Sequence, residues 1–389
     1  MARRNEAAVL DIGSSKVTVL VGERGINNTF LVKGTGECEY SGFSGGEFYE
    51  PEKLPAAISA AIRAAESSVK YRIRELHVGV PGEFSTAVCR EASMAFRGRR
   101  KVTDLDVDEL FKSADVFGAA GDYNVINRTP VYYVLDGDNR IVRPEGHSAS
   151  RMAGFLCFML AENKFISFMD KLFAGLGIKN VSYVSAPLAE TLFLFDPETR
   201  DRFVFLIDIG YITTNLIIAR GDGILYLKTI PLGGGHISAD LSECLKIGFS
   251  QGEALKRRIE LSLEAAEGDT YDINVGGEQK SFESALVHKI AAARLEDIAD
   301  YIKQCIKECP YPFPEYIPIH LTGGGISYMR GAKEHLSRLL GRPVEVAVPS
   351  VPQVSKPHLS SVYGVLDYAL NLRQPPRAQG FFSKLFFGQ

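Results

Sequence analysis

One phrase occurs twice in this chain: an apolar strand that ends in Asp-x-Gly and is followed at once by a second apolar strand. Near the start it reads Val9-Leu10-Asp11-Ile12-Gly13-Ser14-Ser15-Lys16 and leads into Val17-Thr18-Val19-Leu20-Val21. Further along it reads Leu206-Ile207-Asp208-Ile209-Gly210, then Thr213-Thr214 and Leu216-Ile217-Ile218-Ala219. β-Branched runs joined by so short a polar link specify a hairpin whose turn holds the Asp, the Gly and the hydroxyls. One such turn is ordinary, because Asp and Gly are good turn residues. Its repetition predicts two related halves. A turn of this kind aims N–H groups and hydroxyls at a phosphate while its carboxylate holds magnesium through water. Two of them, face to face, would grip one nucleotide from both sides.

The rest of the chain accommodates that plan. At 389 residues it is too long for one core, so two or more domains are expected, and 46% apolar residues argue for a folded chain. A net charge of −3 with interspersed charges gives no footprint for nucleic acid. The six cysteines are scattered without a C-x-x-C pair, which predicts free thiols; Cys305 and Cys309 lie one helical turn apart but lack companions for a zinc site. The N-terminus does not read as a secretory signal, and no run reaches the roughly 18 apolar residues that span a bilayer. A cytoplasmic body is expected.

Along the chain, a strand over Thr29 to Val32, a helix over Pro51 to Lys70 and a strand over Leu76 to Pro81 give a β-β-β-α-β order. From Glu83 to Leu160 the texture changes to short strands, a charged helix (Asp104 to Phe117) and turn clusters, the pattern of a small inserted α+β unit. A helix over Lys164 to Leu176, a strand around Val181 to Val184 and a helix from Pro187 resume the first half. The second half adds a strand over Ile224 to Thr229, helices over Ile237 to Leu245 and Gln251 to Ala266, and a polar Gly-rich patch from Gly268 to Gln279. A long helix from Ser281 to Lys307, a strand over Ile317 to Thr322, a helix over Gly331 to Leu340, a strand over Val344 to Val346 and a helix over Leu359 to Leu372 complete it.

Two glycine triplets, Gly233-Gly234-Gly235 and Gly323-Gly324-Gly325, accompany the Asp-x-Gly turns. Glycine lets backbone approach a ligand closely, and a helix starting just beyond offers N–H groups to anions. In this order the elements resemble the actin-like ATPase superfamily: Asp11 to Lys16 its first phosphate motif, Asp208 to Thr214 its second, Leu321 to Gly325 its adenosine motif. Within it the chain resembles the FtsA family. The residues that carry this are Ile230-Pro231-Leu232-Gly233-Gly234-Gly235-His236-Ile237, Gly252-Glu253-Ala254-Leu255-Lys256 and Pro357 to Leu366, together with the unit inserted at Glu83 to Leu160.

The resemblance implies an α/β fold of duplicated actin-like (ribonuclease H-like) nucleotide-binding halves with an inserted α+β subdomain of the FtsA type. It divides the chain into 1–82 with 161–201, an insert at 83–160, a second half at 202–240 with 308–372, a helical subdomain at 241–307, and a tail at 373–389. ATP and magnesium are the implied cofactors. Asp11 and Asp208 would hold hydrated magnesium; Gly13, Ser14, Ser15 and Lys16 would face the β-phosphate; Gly210, Thr213 and Thr214 would face the γ-phosphate, with Gly233, Gly234 and Gly235 nearby. Glu253 and Lys256 would sit by ribose and base, with Gly323, Gly324 and Gly325 under the adenine. On spacing alone, Glu253 and Lys256 read as an exposed ion pair on a solvated helix.

Four positions depart from the superfamily pattern. Tyr211 and Ile212 stand where the second motif has glycines, and Asn215 stands where it has a closing Asp. Ala186 occupies the place of the Gln or Glu that orients an attacking water in vigorous hydrolases. Slow or negligible turnover is expected.

After Leu372 comes a polar, proline-broken linker, Arg373 to Gly380, and then Phe381-Phe382-Ser383-Lys384-Leu385-Phe386-Phe387-Gly388-Gln389. On a helix, Phe381, Phe382, Leu385 and Phe386 share one broad face; Lys384 lies off it and Phe387 departs from it. This predicts an interfacial segment on an anionic membrane surface. The FtsA resemblance further implies an actin-like filament of the chain with itself, the C-terminal peptide of the tubulin-like FtsZ received at about 241–307, other divisome proteins as partners, and no nucleic acid. A PilM-like scaffold, or another actin-fold ATPase or kinase, is the alternative.

Overall fold

The computed structural model describes residues 5–372 apart from 27–28, 118–120, 139, 350, 352–353 and 355; the tail at 373–389 lies outside the described residues. The first half opens with β1 (Glu6–Ile12), β2 (Lys16–Arg24) and β3 (Phe30–Glu39), a small ribbon of β4 (Phe43–Ser44) and β5 (Glu47–Phe48), helix α1 (Leu54–Val69) and β6 (Glu75–Val80). Pro55 sits in the first turn of α1, and Leu54, Ala57, Ile58, Ala61, Ile62 and Ala65 form its buried stripe.

The insert follows as β7 (Ser85–Lys101), α2 (Asp104–Ala114), β8 (Tyr123–Leu135), β9 (Arg140–Ile141) and β10 (Ser148–Glu162). Its sheet runs β7-β10-β8-β9, with α2 packed on one face through Leu110 and Phe111 against Tyr133 and Phe158. The other face meets the second half: Cys157 lies opposite Cys89 in the ladder, and both thiols donate to the Ile224 carbonyl. All six cysteines are free thiols.

The chain returns through α3 (Asn163–Gly175), β11 (Asn180–Ser185), α4 (Ala186–Leu194) and α5 (Pro197–Asp201), then enters β12 (Val204–Ile209), β13 (Thr214–Arg220) and β14 (Gly223–Ile230). Next come α6 (Gly234–Leu245), α7 (Phe249–Lys256), the hairpin β15 (Thr270–Val275) and β16 (Glu278–Glu283), α8 (Ser284–Glu308), β17 (Ile319–Thr322), α9 (Ala332–Leu340), β18 (Val344–Val346) and α10 (Ser360–Leu372).

The duplication is complete at the level of the sheets. The first is ordered β11-β6-β1-β2-β3 and the second β14-β13-β12-β17-β18, so β12 matches β1, β13 matches β2, and β17 matches β6. In each, the hairpin is antiparallel and the central strand runs parallel to the strand after the crossover. Asp11 pairs with Thr18, and Asp208 pairs with Asn215 at the equivalent rung. Both carboxylates therefore stand at the carboxyl ends of central strands, where open α/β sheets bind ligands.

Two features of 241–307 differ from expectation. α7 ends at Lys256 rather than continuing to Ala266, because Glu260 leaves helical geometry to bridge Arg330. The polar patch forms the β15–β16 hairpin, so this unit is not wholly helical. The last helix, α10, follows the second half in sequence yet packs on the first sheet: Val362, Val365, Leu366 and Ala369 share a core with Ala7, Val9 and Ala189.

Candidate functional site

The two hairpin turns close with the same bond. Gly13 N–H donates to the Lys16 carbonyl at 3.0 Å, and Gly210 N–H donates to the Thr213 carbonyl at 2.9 Å. Tyr211 and Ile212 keep negative φ in that second turn, so the missing glycines cost it no backbone conformation. The turns also touch: Ile212 N–H donates to Ser14 Oγ at 3.0 Å. Between the halves lies a cavity of about 1050 Å³.

Of the residues singled out from the sequence, Asp11, Gly13, Ser14, Ser15, Lys16, Asp208, Gly210, Thr213, Glu253, Gly323 and Gly324 line this cavity. Thr214, Gly233, Gly234, Gly235, Lys256 and Gly325 do not, and they serve its walls. Thr214 donates to the Leu232 carbonyl. Gly234 and Gly235 donate to the carbonyls of Gly210 and Tyr211, and Gly325 donates to that of Ile209. A Cβ on Gly234 would lie 2.0 Å from the Gly325 carbonyl oxygen. The triplets are thus packed into each other and onto the second turn, and close backbone packing is reason enough for glycine there. Gly323 differs: its φ is +95°, and a Cβ would lie 2.3 Å from Asp208 Oδ1.

Glu253 and Lys256 form a buried pair rather than a solvated one. Lys256 Nζ lies 2.8 Å from Glu253 Oε2, its side chain is 5% exposed, and it also donates to the Gly234 carbonyl. Ser238 and Arg257 complete the shell of Glu253. Only the carboxylate side of this pair faces the cavity.

The floor is acidic. Burial pushes the Asp11 carboxyl up to about 6, against the Ser361 hydroxyl that donates to it at 2.7 Å and the nearby Lys16 charge. Burial also pushes Asp208 up to about 6, against the hydrogen bond from Asn215, with the Asp11 charge adding to the rise. Glu190, 2% exposed on α4, is raised well above the carboxylate range by burial and by the Asp208 charge. Lys16 is engaged with Glu37 at 2.8 Å. Facing carboxylates held this far above their ordinary value fit a divalent cation, which would neutralise both. Among the described residues, no group of three or more His, Cys, Asp or Glu is placed to bind a metal directly.

Several lining residues were not read from the sequence. Ala186 does stand at the start of α4, but Glu190 follows one turn later beside Asp208; its only signal was a carboxylate in an otherwise apolar helix. Tyr328 and His358, hydrogen-bonded to each other with rings 5.5 Å apart, line the cavity together with Arg257 and Arg330. These flat and cationic groups suit an aromatic base.

Comparison with known proteins bears on the family and the fold. The model of "Cell division protein FtsA" matches residues 205–364, and that of the "SHS2 domain inserted in FTSA" matches residues 85–158; together they span more than half of the chain. The cell division protein FtsA of Neisseria meningitidis serogroup B is 24% identical over 381 residues, covering 95% of this chain and 92% of its own. That of Streptococcus pneumoniae serotype 2 is 25% identical, covering 96% and 82%. Among solved structures, the PilM–PilN type IV pilus biogenesis complex aligns over 96% of this chain and all of its own, with a TM-score of 0.61 at 18% identity. MreB5 of Spiroplasma citri bound to AMPPNP aligns over 95% and 97%, with a TM-score of 0.57 at 13% identity. The fold is actin-like.

Proposed function

Since the chain belongs to the FtsA family of cell division proteins, we propose that it binds magnesium-ATP between its halves, polymerises as an actin-like filament, and tethers FtsZ filaments to the cytoplasmic membrane at the division septum. The observation that carries this reading is the pair of identical turns facing each other across one cavity, each with a buried carboxylate at a strand end. Gly13 to Lys16 and Gly210 to Thr214 would hold the phosphates, Glu253 the ribose side, and Gly323 and Gly324 with Tyr328 and His358 the base. Magnesium, held through water by Asp11 and Asp208, would neutralise the phosphates and both carboxylates. Asn215 donates its amide to Asp208 where an Asp would add a further negative charge.

Hydrolysis is weak or absent in this reading. Ala186 offers nothing to orient a water, and Glu190, its carboxyl raised well above its ordinary value by burial, already accepts the Ser360 hydroxyl. Bound nucleotide then acts mainly as a brace that favours the closed form. The tail at 373–389 supplies a lipid-seeking face that is weak alone and strong in a filament, because many copies act together. The unit 241–307 receives the FtsZ C-terminal peptide, and other divisome proteins join at the septum. A PilM-like scaffold shares the fold but gives no role to that tail.

The test is co-sedimentation with liposomes of the full chain and of a chain ending at Arg373, each with and without magnesium-ATP, alongside phosphate release. The full chain should pellet, more so with nucleotide, and the shortened chain should not. Equal pelleting of the two defeats the tether. Phosphate release above roughly one per second, an ordinary enzyme rate, defeats the brace.

A further inference from the structure

A second cavity, about 820 Å³, opens at the other end of the first sheet, where β6 and β11 begin. Its apolar floor contains Ile62, Ile73 and Ile178, each buried. Its rim carries Arg63, Arg72, Arg74 and Lys179 against one carboxylate, Glu66. That carboxylate is already met by Arg72 at 2.8 Å and by the Ile73 N–H at 2.7 Å. Arg63, Arg74 and Lys179 are exposed and make no side-chain ion pair among the described residues. Three cations held unpaired around a cleft repel one another, and an anion relieves them.

The last turn of α10 is fastened at this same end. Arg24, the last residue of β2, binds Asp367 at 2.6 Å and Asn371 at 2.8 Å. Its neighbour Glu23 pairs across the sheet with Glu6; the Tyr71 hydroxyl donates to Glu6, and Arg72 of the cleft follows Tyr71. The segment 373–389, with Arg373, Arg377 and Lys384, therefore sets out from the end of the molecule that presents the cleft.

We propose that this cleft takes the phosphate headgroup of an anionic phospholipid, so that the first half docks on the membrane beside the tail. The inference rests on the tether reading above and adds to it a second contact on the folded body. Two weak anchors at one end of the molecule hold a membrane where either alone is marginal. They also fix which end of the molecule faces the lipid.

The experiment uses the full chain, a triple variant (Arg63→Gln, Arg74→Gln, Lys179→Gln) and the chain ending at Arg373. Vesicles are of phosphatidylcholine alone or of an equimolar mixture with phosphatidylglycerol. On the mixed vesicles the triple variant should need roughly tenfold more lipid for half-pelleting, while matching the parent on phosphatidylcholine and keeping its melting temperature. Equal binding of variant and parent to the mixed vesicles overturns the cleft and leaves the tether standing. A shortened chain that pellets like the parent overturns the tether, and the triple variant then decides the cleft alone. Inorganic phosphate, added without vesicles, should leave the melting temperature of the parent unchanged; a rise that the triple variant loses assigns the cleft to a soluble anion and overturns the lipid site.

Discussion

Asp11 and Asp208 are carboxylates set into the cleft floor, where partial enclosure by protein disfavours their charge. A carboxyl whose pKa is about 6 in the fold and about 3.9 in an unfolded chain takes up a proton on folding between those values. It therefore weakens the fold progressively as pH rises through that window and costs most above it. Asp208→Asn should leave the nucleotide-free protein as stable as the parent or more so at pH 7.5, with the gap closing toward pH 5. The same variant should lose the stabilisation that magnesium-ATP gives the parent; melting curves at the two pH values, with and without magnesium-ATP, check both. Gly323→Ala acts on the same carboxylate sterically. Its left-handed φ and the 2.3 Å approach to Asp208 should cost about 1–3 kcal/mol and blunt the nucleotide response, as chemical denaturation with and without magnesium-ATP would read.

Among the elements, α2 shows how the insert is secured. Thr103 caps it, and Asp106 accepts both Arg100 nitrogens at 2.7 and 2.6 Å as well as the Thr103 N–H and hydroxyl. The Arg100 guanidinium, then the Thr103 donors, hold this carboxyl well below its usual range despite burial. A carboxylate so depressed stabilises the fold above its unfolded value, and that contribution fades as pH falls toward the folded one. Asp106→Asn should destabilise the protein at pH 7, with the difference from the parent shrinking below about pH 4 in denaturant titrations. This cap was written in the sequence as Thr103 followed three residues later by Asp106, and the amphipathic helices α1, α3 and α8 were legible from their apolar stripes. The β15–β16 hairpin was not, because β16 is almost wholly exposed and carries no alternation to read. The end of α7 was hidden for another reason: Ile259 follows Leu255 at helical spacing, but Glu260 pairs with Arg330, distant in sequence. The cleft itself was only half legible. Repeated turns announced Asp11 and Asp208, whereas Glu190, Tyr328 and His358 reach it through tertiary packing that no local pattern encodes.

For the whole molecule, the decisive fact is that three cores are joined across a cleft. One belongs to the second half together with the inner face of the insert, and two lie on the opposite faces of the first sheet. At the mouth of the cleft the two turns meet at Ser14 and Ile212, while the insert and α4 join the second half through a shared core. Calorimetry should show two overlapping unfolding transitions in the nucleotide-free protein and one sharper, higher transition with magnesium-ATP, since a ligand gripping both halves couples them. Two unaltered transitions at saturating nucleotide would mean that the halves do not share it.

α10 carries a consequence of another kind. Ser361, at its beginning, hydrogen-bonds Asp11 on the cleft floor, and Asn371, near its end, is held by Arg24 at the point from which the tail departs. Between them lie some three turns of helix, about 15 Å of stiff rod at 1.5 Å per residue. One helix thus links a carboxylate of the cleft floor to the point where the tail begins, so a shift of α10 at the first would re-aim the second.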